Sequence, residues 1–206
     1  MALETAANLA ELGTKTIDLF KSVKNKLVNQ PEAANGKLEI VFDELSRIFI
    51  GFDGEITNFL SMSFEPGTNL KDERKILYRL DGLELNVRLN EARGHCGKIK
   101  RIYDKYLDKW LSRVLSPDES GDMATLFENL ENSDQGMLDA IYATGNWLSE
   151  KAKEILDLLD ENKLEEISQR MIKYKNEIRP IRTALSKTTN ELHLPANEFA
   201  AVSGAV

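Results

Sequence analysis

The chain has 206 residues, 42% of them hydrophobic, 30% charged and 7% aromatic, which is long enough to bury a substantial core. With only 12 glycines and 5 prolines it is not collagen-like, low-complexity or a many-turned β architecture. A single cysteine, Cys96, excludes an internal disulfide framework and any multi-cysteine zinc or iron–sulfur site, and a net charge of −7 gives no overall attraction to nucleic acid or an anionic membrane.

No run reaches 18 consecutive apolar residues, so no transmembrane helix is expected. The first residues, Met-Ala-Leu-Glu-Thr-Ala-Ala, lack the basic flank and apolar stretch of a secretory signal. With one thiol and no such signal, the expected compartment is the cytoplasm.

Helical periodicity runs through nearly the whole sequence. Over residues 2–29, Leu3, Ala6, Ala10, Gly13, Ile17, Phe20 and Leu27 line one face of a helix. Pro31 suits the first turn of a second helix, which repeats Leu38, Val41, Phe42, Leu45, Ile48, Phe49, Phe52, Ile56, Phe59 and Leu60. Pro66-Gly67 marks a turn. A third helix carries Tyr78, Gly82, Leu85, Leu89, Ala92, Cys96, Ile99, Tyr103, Tyr106 and Trp110 in steps of four and three. That period of about 3.5 suits lengthwise packing against near-antiparallel neighbours.

Ser116-Pro117-Asp118-Glu119 reads as the next helix start, with Ser116 as N-cap, Pro117 at the first position and Glu119 closing a capping box. The alternation then runs from Met123 to Leu159, broken only by Asp134 in Asn132-Ser133-Asp134-Gln135-Gly136, where the unbroken phase favours a kink over a loop. Asp160-Glu161-Asn162-Lys163 is the following turn. The last helix keeps Leu164, Ile167, Met171, Tyr174, Ile178, Ile181, Leu185, Thr188 and Leu192 in register, with a local kink expected before Pro180 and an end at Pro195.

The expected architecture is therefore all-α: an elongated antiparallel bundle of about five helices with a long central helical hairpin. Residues 1–195 form one domain, and 196–206 a frayed tail. The two central helices, about 45 residues each, would span about 65–70 Å at about 1.5 Å per residue.

Charge is sorted along this layout. Residues 1–30 carry +1, 31–70 carry −5, 71–113 carry +5, 117–169 carry −11 and 170–206 carry +3. Opposite charges flanking apolar seams select neighbours and register, and that is the favoured reading. The sharper one is a stripe for an anionic partner: Lys98, Arg101, Lys105 and Lys109 fall within about a quarter of the helix circumference, away from the seam. Tyr103, Tyr106 and Trp110 are near in sequence but are assigned to the seam, so nucleic-acid binding is not expected.

Gly94-His95-Cys96-Gly97 is unusual inside a helix, since each glycine costs about 1 kcal/mol relative to alanine. A reactive thiol activated by His95 is one reading. The favoured one is packing, because His95 points about 100° away from Cys96 and small residues allow a close approach or a bend. Glu91 lies four residues before His95 and Glu191 two before His193, neither of which is the Glu-x-x-His spacing of di-metal carboxylate bundles. No phosphate-binding loop, nucleophile elbow or zinc-binding histidine pair is present, so no catalytic residue, metal or cofactor is assigned.

Residues 45–64 are the most apolar stretch and carry Ile48, Phe49, Ile50, Phe52, Phe59 and Phe64. They read first as a buried helix and alternatively as a concealed membrane-active segment. The first helix adds to that alternative by interleaving Ile17, Leu19, Phe20, Val23 and Leu27 with Lys15, Lys21, Lys24 and Lys26. The leading functional expectation is a non-enzymatic interaction or scaffold protein that binds another protein or itself through helical faces. A membrane-acting bundle that exposes helix 1 or residues 45–64 is the alternative, and a bundle binding a small molecule between helices is the third.

Overall fold

The structure is a computed structural model that describes residues 32–130 and 136–203, together with 11, 14, 15, 17–19, 21, 22 and 26. Among the described residues it is an all-α bundle without strands. Its helices are α1 (Glu32–Ser61), α2 (Leu70–Asp81), α3 (Leu83–Ile102), a π-helical turn (Tyr103–Leu107), α4 (Asp108–Val114), α5 (Pro117–Glu128), α6 (Met137–Asp160) and α7 (Leu164–Ser203). The described residues of the segment 11–26 are helical as well. The expected seam positions Leu3, Ala6, Ala10, Gly13, Phe20 and Leu27, and Asp134, lie outside the described residues.

The spine is α1 packed along α7. Phe42, Phe49, Phe52 and Phe59 of α1 and Ile178 and Leu185 of α7 are buried together. The two run antiparallel, with Asp53 facing Arg182 (3.4 Å) and the Met62 carbonyl accepting from Lys175. A second antiparallel pairing joins α2 and α3 to α6, through Arg74–Asp160 (2.5 Å), Ser149–Asp81 (3.2 Å) and the seating of Leu89 on Gly145. A Cβ at Gly145 would come within 2.9 Å of the Leu89 side chain, so here the helices do approach over a glycine. Phe59 of α1 and Tyr174 of α7 pack edge-on against Trp147 of α6, at 5.6 and 6.0 Å between ring centroids, and so tie the two pairings together.

Local signals end the helices as the sequence predicts. Pro66-Gly67 forms a turn in which Thr68 N–H donates to Glu65 O (3.1 Å), with Gly67 at φ 94°. Ser116 and Glu119 close the capping box of α5. Asn162 takes φ 59° and ends α6 in a Schellman motif: Lys163 N–H donates to Leu158 O and Asn162 N–H to Leu159 O.

The long expected helices are subdivided. The third is broken at Gly82, in extended conformation, where a Cβ would lie 2.6 Å from the Tyr78 carbonyl oxygen. Its Tyr78, expected in the seam, is 56% exposed. The fourth is not kinked but interrupted, since α5 stops at Glu128 and α6 starts at Met137. The hairpin explains why. From the Leu89–Gly145 contact to the stacking of Tyr103 on Phe127 (4.3 Å), the α3 side uses fourteen residues and the α5–α6 side eighteen. A continuous helix cannot absorb that excess. The last helix continues through Pro180, as expected, but Pro195 does not end it, for α7 runs on to Ser203. A proline removes one i→i−4 hydrogen bond, which a helix held by tertiary packing can tolerate.

The candidate membrane-active residues Ile48, Phe49, Phe52, Phe59 and Phe64 are all buried, and Ile50 is 47% exposed. Among the described residues no helix is long and apolar enough to cross a membrane.

Candidate anionic-partner groove

A groove of about 510 Å³ runs between α1 and the end of α3, floored by Ile40 and Ile102. Antiparallel packing of these helices sets Lys37 opposite Tyr106 and Glu44 opposite His95 and Lys98. Five cationic side chains, Lys37, Arg47, Lys98, Arg101 and Lys105, line it against two carboxylates, Asp43 and Glu44. The predicted stripe is thereby joined by two residues of α1 that the sequence does not single out. Lys109 is exposed but lies outside the groove lining.

Both carboxylates are already engaged. Asp43 accepts from Arg47 one turn on, at 3.0 Å. Glu44 is only 3% exposed and is held by Lys98 Nζ and by His95 Nδ1 at 2.5 Å. Burial pushes the Glu44 carboxyl up, but the hydrogen bonds from Lys98 and His95 outweigh it and hold the group below its ordinary range. Lys37, Arg101 and Lys105 have no carboxylate partner among the described residues. Arg101 donates its Nε to the Gly97 carbonyl (3.1 Å).

Tyr106 completes the site, and it is where the seam prediction fails. It is 47% exposed, with the ammonium groups of Lys37 and Lys105 at 4.8 and 5.2 Å from its ring centre. The cause is the π-helical turn, closed by Asp108 N–H donating to Tyr103 O. One extra residue in that turn advances the buried seam from Tyr103 to Leu107 and Leu111, and Tyr106 rotates out. A seam of Ile99, Tyr103, Leu107 and Leu111, in uniform steps of four, was the available sequence signal.

The glycine-flanked tetrapeptide divides as its angles require. Cys96 is buried in the core and His95 turns to Glu44. Gly94, by contrast, is exposed, and a Cβ there would meet nothing within 4 Å, so close packing does not account for it. The side chain of His193 lies outside the described residues.

A second hollow of about 480 Å³ continues along the same two helices beyond His95. Arg47 lines both hollows; Ile50 and Gly51 form one wall of the second, Arg88 and Glu91 the other, and Phe52 and Ala92 its floor. Several of the remaining polar contacts tie helices together. Glu154 of α6, for example, accepts from Tyr174 and Arg170 of α7. Among the described residues no group of three or more His, Cys, Asp or Glu side chains is placed to hold a metal ion.

Fold and groove together define an all-α bundle with a basic, aromatic-edged cleft on an otherwise acidic chain. No protein-family model, curated protein or solved structure matches it.

Proposed function

We propose that the protein is a non-enzymatic interaction module of the cytoplasm that takes an acidic stretch of a partner protein into the groove between α1 and α3. The observation that carries this reading is the convergence of Lys37, Arg101 and Lys105, none paired with a carboxylate among the described residues, around the exposed ring of Tyr106. Cations left over in a chain of net charge −7 would ordinarily meet its own carboxylates. These three instead face a concavity.

The ligand class follows from range. A long polyanion or a membrane plane lying across the molecule would bring the acidic surroundings within the screening length of about 8–10 Å and is disfavoured. A narrow segment that enters the groove meets chiefly the cations around Tyr106, because Asp43 and Glu44 are already engaged. The cleft has charged rims and Tyr106 at its edge, unlike the enclosed apolar pockets that hold small molecules.

The test is fluorescence anisotropy of the full chain with a labelled oligoglutamate peptide of about sixteen residues, enough to span the groove as a helix. Binding should weaken with salt, and it should fall at least about tenfold in a Lys37→Glu, Arg101→Glu, Lys105→Glu variant whose circular dichroism and melting match wild type. Absence of binding, or binding indifferent to the triple variant, overturns the proposal. Tighter capture of single-stranded DNA or of phosphatidylserine vesicles through the same residues also overturns it, in favour of that polyanion.

A further inference from the structure

We infer that the segment taken up is an amphipathic helix with one acidic and one apolar end, seated lengthwise along α1 and α3. This rests on the acidic-partner reading and goes further, because the basic groove is only half of a longer channel. The two hollows meet at Arg47 and at the Glu44–His95 contact. On one side the lining is basic. On the other the floor is Phe52 and Ala92, and Ile50 stands on the wall with nearly half its surface in water.

An exposed isoleucine beside a glycine is a poor surface for solvent and a good one for an apolar side chain. Gly51 supports the same use: a Cβ there would meet nothing within 4 Å, so the wall is low and a partner backbone can approach. At this apolar end Arg88 is engaged by Glu91 at 3.0 Å, whereas at the other end Lys37 and Lys105 have no carboxylate partner among the described residues. The channel is therefore graded in charge as well as in hydropathy, from cations around Tyr106 to a hollow with an apolar floor whose Arg88 is neutralised.

Length fixes the form of the occupant. Lys37 to Phe52 spans fifteen residues of α1, about 22 Å at about 1.5 Å per residue. A helix of about four turns matches that distance, and its side chains suit a trough between two antiparallel helices. A second copy of this chain would have to present such a segment too, so self-capture is an outcome the test separates.

Three labelled peptides of about sixteen residues distinguish the possibilities: one with glutamates at one end and leucines at the other, a scrambled version of it, and oligoglutamate. The graded peptide should bind at least about tenfold more tightly than either control, the gain expected from burying one leucine-sized side chain. Ile50→Ser, at a half-exposed position, should weaken the graded peptide at least about threefold and leave oligoglutamate within about twofold. Equal affinity for graded and scrambled peptides, or no selective effect of Ile50→Ser, overturns the inference while the acidic-partner reading stands. If neither oligoglutamate nor the graded peptide binds, both fall. Sedimentation showing concentration-dependent dimers that the graded peptide cannot dissociate, but that Ile50→Ser abolishes, would assign the channel to a second copy and overturn the inference as well.

Discussion

Glu44 illustrates how one carboxylate can organise a site while its own charge is taken up by its neighbours. It sits 3% exposed between α1 and α3, accepting from His95 and Lys98. Burial raises its pKa, and the two hydrogen bonds bring it below the ordinary glutamate value of 4.5. A folded value below the unfolded one means that its contribution to stability is present above about 4.5 and is lost as pH falls through the folded value. Glu44→Gln should therefore lower stability at neutral pH by about 1–3 kcal/mol, nearer the lower figure because Lys98 is half exposed. In thermal melts the gap between variant and wild type should close below about pH 4.5. Equal melting at neutral pH would mean that the contact does not hold α1 to α3. Nothing in the sequence marks this residue among 34 acidic ones, since its partners lie 51 and 54 positions away. The divergence of His95 from Cys96, by contrast, was legible, because it depends only on the angle between neighbours on a helix.

At the level of the helices, heptad-like spacing identified most of the buried faces, though it missed at Tyr78 and Leu164, which are exposed. It lost the register where the backbone changed pitch. The seam of α3 runs Leu85, Leu89, Ala92, Cys96 and Ile99, as predicted, and then continues through Tyr103, Leu107 and Leu111 because the π turn carries one extra residue. Deleting Tyr106 should convert that turn to α-helix and restore the spacing from Ile99 onward, leaving the melting temperature within a few degrees of wild type. Deleting Arg93 leaves successive steps of three, which walk the seam off the core face, and should unfold the bundle. Circular dichroism melts of the two variants check this, and equal loss in both would contradict the register argument. The interruption between Glu128 and Met137 escaped the same method for a related reason. An unbroken apolar phase cannot report that one side of a hairpin holds four residues too many, because that mismatch exists only once the two sides are paired.

For the whole molecule, the basic segment packs against its acidic hairpin partner but places most of its inter-helix ion pairs elsewhere. Among the described residues, basic 71–113 meets acidic 117–169 in a single ion pair, Arg74–Asp160. It reaches α1 instead through Arg79 and Arg88 to Glu55, and through Lys98 to Glu44. Exposed pairs of this kind contribute little each, so the bundle rests on its apolar seams and the charges tune pairing. The all-α class was legible because periodicity is local. The groove was not, because Lys37 and Arg47 belong to one helix, Arg101 and Lys105 to the end of another, and only antiparallel packing brings them together.

Chemical-shift mapping of the full chain titrated with oligoglutamate locates the bound segment. The largest backbone and side-chain shifts should fall on Lys37, Arg101, Lys105 and Tyr106. Shifts clustered instead on the cleft between Lys15 and Asp122, or spread evenly over the surface, would contradict binding there.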